Sequence, residues 1–165
     1  ENRVAMMDAV LEALAREVHT NPDALEVERI NCHHNFAAKE HHNGKELWIT
    51  RKGAIRAREG DRGVIPGSMG TDSFIVSGLG SAASYTSCSH GAGRRMSRSR
   101  ARKELDLDGF REQMGDRVWD DRAANQLLDE DPRAYKDIQQ VMADQQDLVK
   151  VDHTLTQILN YKGVK

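Results

Sequence analysis

The chain is poor in cysteine and has no long apolar run, and each shortage narrows what it can be. Its 2 cysteines, Cys32 and Cys88, are too few for a disulfide framework and suit a reducing compartment. No stretch reaches the roughly 18 apolar residues that a membrane span needs, so no membrane partner is expected. The opening Glu1-Asn2-Arg3 has no basic region leading into an apolar segment, which argues against a secretory signal. Together these point to a cytoplasmic protein. An initiator methionine is also missing, compatible with processing or with a chain cut from something longer. Repeats, low-complexity tracts and composition-marked linkers are lacking too, so one unit is expected.

What is present suits a soluble domain. The 165 residues, 38% hydrophobic and 30% charged, allow one sizeable core. A net charge of −2 conceals an uneven distribution. Arg94, Arg95, Arg98, Arg100, Arg102 and Lys103 form a basic run, followed by Glu104, Asp106, Asp108, Glu112, Asp116, Asp120 and Asp121. Such a patch suits phosphate or RNA contact; it equally suits a solvated helix face balanced by its acidic neighbour.

Apolar Val4, Met7, Val10, Leu11, Leu14 and Val18 recur at helical spacing, predicting an amphipathic helix that Asn21-Pro22-Asp23 ends. Leu25 to Cys32 reads as a strand. Asn43-Gly44 marks a hairpin between Phe36–His41 and Leu47–Arg51. Further strands are expected from Ile55, around Val64-Ile65 and over Ser73–Ser77. A helix is expected from Gly93 or Arg94 through Lys103, another over Ala134–Ala143, and a β segment within Asp147–Asn160. The class is α+β, a mixed β-sheet with peripheral helices.

Three segments could carry chemistry. In Ser89-His90-Gly91-Ala92-Gly93-Arg94, a neutral imidazole can attack phosphorus, and the small residues leave backbone N–H groups open to a phosphate. A helix starting there would add its positive end and set Arg94 and Arg98 on one face. The same residues also make a glycine turn around a buried histidine. His33, His34, His41 and His42 are possible metal ligands, but neighbours on a strand face opposite ways. No cysteine or carboxylate stands at a metal-ligand spacing beside them, and His41 and His42 read as exposed hairpin residues. Pro66-Gly67-Ser68-Met69-Gly70-Thr71 could be an anion nest or an ordinary turn; with no Walker lysine and no GxGxxG it is neither a P-loop nor a Rossmann turn.

Taken together, NCHHNF at 31–36, RKGA at 51–54, PGSMGTDSFIV at 66–76, SCSHGAGRRMSR at 87–98, AYKDI at 134–138 and YKG at 161–163 resemble the C-terminal part of the RtcB-type RNA-splicing ligases. Their order is the family's, and they span almost the whole chain. The resemblance implies that residues 1–165 are the C-terminal portion of a larger single-domain RtcB-like fold. It also implies a GTP- and manganese-dependent ligase joining RNA 3′-phosphate or 2′,3′-cyclic phosphate ends to 5′-hydroxyl ends. By that resemblance, His90 is the histidine that becomes guanylylated, and His34 is a manganese ligand with Asn35 a nucleotide contact. Pro66, Gly67, Ser68, Met69 and Ser73 match the guanylate loop, and Gly91, Ala92 and Gly93 the turn beside the nucleophile. Tyr135 is placed to stack on guanine, Lys162 to meet its O6 edge, and Arg94 and Arg98 to grip RNA phosphate.

Two departures accompany the match. The family's DxxCG and NxxHxE segments, which supply most metal ligands and further nucleotide contacts, do not occur here. Val164-Lys165 also follow the Lys-Gly at which such chains usually stop. The expectation is therefore a fragment, inactive alone and completed by the missing N-terminal half, with an archease-like activator as a possible further partner. The rival readings are a non-catalytic RNA- or nucleotide-binding module and one half of a split ligase.

Overall fold

The computed structural model describes residues 2–163, so Val164 and Lys165 lie outside the described residues. Two compact units are present, one ending at Cys32 and one starting at His33. The first is built on helix α1 (Asn2–Glu17), as the apolar spacing predicts. That helix stops before Asn21: the Thr20 N–H reaches the Ala15 carbonyl at 2.9 Å, and His19 turns to a φ of 53°. Asn21 instead opens a second short helix, α2 (Pro22–Leu25), accepting from the Asp23 N–H at 3.0 Å with proline in the first turn.

The strand expected over Leu25–Cys32 does not form. Side chains rather than a backbone ladder hold this stretch: Arg29 pairs with Glu26 and, at 2.5 Å, with Asp8, and Arg3 donates to the Cys32 carbonyl at 2.5 Å. An apolar run becomes a strand only where another strand takes its N–H and C=O groups, and none of those described does so here.

The second unit carries helices and antiparallel strands, an α+β arrangement divided among three small sheets. Strands β1 (Asn35–His42) and β2 (Lys45–Lys52) pair across Asn43-Gly44, whose φ values of 50° and 77° suit a two-residue hairpin turn. Strand β3 (Ala54–Arg56) pairs with β6 (Ser87–Ser89). Strands β4 (Arg62–Ile65), β5 (Ser73–Gly78) and β7 (Val149–Leu155) form the third sheet, with β5 central and a register shift at Ile75/Val76. Burial alternates along β4 and β5, as in strands with one face on a core.

Helices α3 (Arg98–Glu104) and α4 (Leu107–Met114) are N-capped by Ser97 and Asp106. With α5 (Ala124–Leu127), α4 encloses a core of Met69, Phe110, Met114, Ala123, Leu127 and Leu128, and Trp119 packs on Phe110 at 4.9 Å. The helix expected from Gly93 starts only at Arg98. The preceding residues are tied to another segment: Arg95 and Met96 donate to the Ala134 carbonyl, and Arg94 bridges Tyr135. The helix expected over Ala134–Ala143 is likewise shorter, α6 (Ile138–Ala143), because Asp137 caps it through the Gln139 N–H. β7 falls within the expected Asp147–Asn160 segment.

Candidate functional site around His90

Local geometry explains how two histidines far apart in sequence meet. His34 precedes β1 and His90 follows β6; Gly53, between β2 and β3, joins them. Its N–H donates to the His34 carbonyl at 3.0 Å, and its own carbonyl accepts from the His90 N–H at 3.4 Å. Gly53 has φ +72°, a backbone state that glycine alone takes without strain. The two rings stack with centroids 4.7 Å apart and planes 16° from parallel. His90 Nδ1 lies on the Gly53 side, 3.9 Å from where a Cβ would stand.

His90 borders a cleft of about 470 Å³ lined by Gly53, Ser89, Gly91–Gly93, Lys136, Asp144 and Gln145 among others. Gln145 is buried and accepts from the Ser89 N–H at 2.9 Å, holding the strand that delivers the histidine. Ser89 Oγ donates to the Gly91 carbonyl at 2.6 Å, which closes the turn. The Gly91 and Ala92 backbone packs on Pro66, with the Ala92 N–H donating to the Pro66 carbonyl at 3.1 Å. The structure thus brings the 66–69 loop and the 91–93 turn together. No helix N-terminus stands at that turn, and two of the N–H groups expected to be open to a phosphate are taken up within the fold, that of Ala92 by the Pro66 carbonyl and that of Gly91 by Ser89 Oγ at 3.4 Å.

The 66–73 loop is stiff. Ser68 N–H donates to Thr71 Oγ1 at 2.6 Å, Gln157 Nε2 to the Ser68 carbonyl at 2.8 Å, and Asn160 Nδ2 to the Met69 carbonyl at 2.7 Å. Met69 itself is a core side chain. Gln157 also reaches Ser73 Oγ at 3.4 Å. Gly67 is required here: a Cβ would stand 2.3 Å from the Asp72 carbonyl oxygen.

A family model described as "tRNA-splicing ligase RtcB" matches residues 1–163. The chain belongs to the RtcB family. It is 48% identical over 165 aligned residues to the RNA-splicing ligase RtcB of Escherichia coli strain K12, an alignment covering 98% of this chain and 40% of that protein. It is 34% identical over 161 residues to the tRNA-splicing ligase RtcB of Aeropyrum pernix, covering 85% of this chain and 34% of that one. The chain therefore spans about two-fifths or less of the length of these relatives.

The other RtcB site candidates gather on two acids that sequence reasoning passed over, Asp129 and Glu130. Both are buried. Glu130 Oε2 accepts from the Tyr135 hydroxyl at 2.5 Å and from Lys162 Nζ at 3.3 Å, while Arg98 pairs with Oε1. Arg98 also pairs with Asp129, as does Arg102 at 2.8 Å. Arg94 stacks over the Tyr135 ring at 4.7 Å and donates to the Tyr135 hydroxyl at 2.8 Å and to the Asp129 carbonyl at 2.5 Å. Burial pushes the Glu130 carboxyl up, but Tyr135, Arg98 and Lys162 outweigh it and leave it below the ordinary range. Burial and the Glu130 charge push the Tyr135 hydroxyl up to about 12. The signal in sequence was Asp129-Glu130-Asp131 just before AYKDI, a run of acids too apolar in its flanks to be a solvated face.

The remaining histidines separate. His41 is exposed and pairs with Glu46 at 3.1 Å. His42, expected on the surface, is buried, 3.0 Å from Glu40, because it lies on the inner face of the hairpin. Among the described residues no group of three His, Cys, Asp or Glu side chains could hold a metal ion. His34 offers one imidazole, so the donor set on this chain does not make a manganese centre. No helix among the described residues is long and apolar enough to cross a membrane.

Proposed function

We propose that this chain carries the histidine of an RNA ligase that joins RNA 3′-phosphate or 2′,3′-cyclic phosphate ends to 5′-hydroxyl ends through a His90–GMP intermediate. The observation that carries the reading is the placement of His90 at a cleft of about 470 Å³, its backbone tied to Gly53 and its ring stacked on His34. With Nδ1 on the Gly53 side, Nε2 is the nitrogen available to a nucleotide. It attacks the α-phosphorus of GTP; a P–N bond forms and pyrophosphate leaves. An oxygen of the RNA 3′-phosphate then takes the guanylyl group and the P–N bond breaks. The 5′-hydroxyl attacks the activated 3′-phosphorus, a phosphodiester forms and GMP leaves. A 2′,3′-cyclic end first needs water to open it to the 3′-phosphate.

A phosphate monoester is a poor electrophile until a nucleotide leaving group is attached, which is the reason for the covalent step. Gly91, Ala92 and Gly93, which carry no bulky side chain, would leave room for phosphate beside His90, Asn35 and the Pro66–Met69 loop with Ser73 would hold the guanylate, and Tyr135 and Lys162 would meet the base. Arg94 and Arg98 would bind RNA phosphate. Manganese would take His34 as one ligand and would need the others from residues outside this chain. The cytoplasmic location and an archease-like activator belong to the same reading.

The test is guanylylation. In a full-length RtcB polypeptide carrying these residues, GTP and Mn²⁺ should give an acid-labile adduct that His90→Ala abolishes. Undiminished adduct in that variant would remove His90 from the role. The 165-residue chain alone should form little adduct, and robust self-guanylylation would refute the need for the remainder. Salt-dependent RNA binding with no GTP consumption, even beside that remainder, would favour a non-catalytic module instead.

A further inference from the structure

The β1–β2 hairpin is a ribbon with two unlike faces. Facing pairs Phe36/Arg51, Ala38/Ile49 and Glu40/Leu47 point inward, with Glu40 and Arg51 buried. The alternate pairs Asn35/Lys52, Ala37/Thr50, Lys39/Trp48 and His41/Glu46 are exposed at every position. Trp48 lies in the middle of that outer face with 73% of its surface in water. It is a large ring left mostly in water, whereas the chain's other tryptophan, Trp119, packs on Phe110.

We propose that this outer face is a docking track for the RNA strand next to its reacting end, with Trp48 stacking on a base and Lys52 and Lys39 meeting phosphates. The proposal rests on the ligase reading for the identity of its occupant. Two observations select RNA over a protein surface. The face ends at the Asn35/Lys52 pair, and the residues directly beyond it, His34 and Gly53, are those bonded to the His90 segment. The ribbon therefore runs directly to the nucleophile. Charge is the second: on this face Lys39 and Lys52 stand against one exposed acid, Glu46, which sits 3.6 Å from Lys39 at the far end and leaves Lys52 at the end nearest His90. An exposed ring between lysines fits single-stranded nucleic acid, because every base offers a π face and every linkage a negative charge.

The spacing sets a length requirement. Lys52 lies four residue steps from Trp48 along β2, about 13 Å at 3.3 Å per residue, or about four stacked nucleotides. A short RNA held at His90 would not reach the ring, and a longer one would.

The experiment titrates fluorescently labelled single-stranded RNA bearing a 3′-phosphate, as a dimer and as a decamer, into the 165-residue chain at low salt without GTP. Trp48→Ala should weaken decamer binding about 5- to 100-fold, the loss of one base–aromatic stack, and leave the dimer unchanged. Trp48→Phe should retain most of the affinity, which separates stacking from a folding defect. Lys52→Ala should lower the slope of log affinity against log salt by about one. Equal decamer affinity in the wild type and Trp48→Ala overturns the proposal, as does a wild-type chain that binds no RNA. Trp48-dependent RNA binding, with no His90 adduct from a full-length polypeptide given GTP and Mn²⁺, would sink the ligase reading and leave the track standing. Adduct formation with unchanged RNA affinity in Trp48→Ala would do the reverse.

Discussion

Replacing Glu40 by glutamine tests the buried polar link between the hairpin and the His90 strand. Arg51, only 1% exposed, donates to both Glu40 oxygens at 2.5 and 3.0 Å. It also donates to Ser87 Oγ and to the Tyr85 carbonyl at 3.0 Å, so this one guanidinium ties β1 and β2 to the segment that becomes β6 and then His90. Its hydrogen bonds hold the Glu40 carboxyl down to about 2 from an ordinary 4.5, against the opposing effect of burial, with His42 adding to the pull. That difference corresponds to about 3 kcal/mol of folding stability at neutral pH. Glu40→Gln also leaves a buried cation without its counter-charge, for which about 3–5 kcal/mol is the usual cost.

The sign of the pH dependence follows from the lowered value. Between about pH 2 and 4.5 the unfolded chain binds the Glu40 proton and the folded chain does not, so stability rises with pH. The gap between wild type and Glu40→Gln should be full above pH 4.5 and close as pH falls through about 2. Urea unfolding of both chains at pH 7 and at steps down to pH 2 measures it, because other carboxylates titrate alike in both and cancel. A gap below 1 kcal/mol at pH 7, or one that stays constant to pH 2, would refute the reasoning.

Other expectations concern the site. Gly53→Ala should cost about 1–2 kcal/mol from its left-handed φ alone and should cut adduct yield more than stability, read by comparing urea midpoints with guanylylation of a full-length polypeptide. Gly67→Ala forces a Cβ against the Asp72 carbonyl, so its urea midpoint should fall further than that of Gly53→Ala. Tyr135→Phe should remove a tyrosinate absorbance change centred near pH 12 and destabilise the chain by about 1–2 kcal/mol through the two lost hydrogen bonds. Asp129→Asn leaves Arg98 and Arg102 with less internal pairing, so RNA affinity at low salt should rise while stability falls; a drop in affinity would show that Asp129 instead sets the geometry in which those arginines bind.

Much was legible from residue order because it depends on local chemistry. The α1 spacing, the Asn43-Gly44 turn and the β5 and β7 segments are written in side-chain periodicity and in backbone freedom at two turn residues, and each forms where it was expected. Family membership was equally readable, since the motifs from NCHHNF to YKG keep one order along the chain. Leu25–Cys32 shows the limit. Its apolar pattern permits a strand, but ion pairs to Asp8 and a bond from Arg3 hold it otherwise.

The opposite held wherever a residue's meaning depends on a distant partner. His42 looked exposed until the hairpin register set it beside Glu40, and the helix expected from Gly93 lost its first turn to Ala134 and Tyr135. Sequence alone determined the fold class, the hairpin and the identity of His90 as the residue to watch, because propensity and motif spacing act within a few residues. Only the tertiary structure decided that Gly53 joins His90 to His34, that Glu130 gathers Tyr135, Lys162 and Arg98, and that Trp48 faces water. Hydrogen bonds, ion pairs and burial between remote segments exist only after the chain has closed on itself.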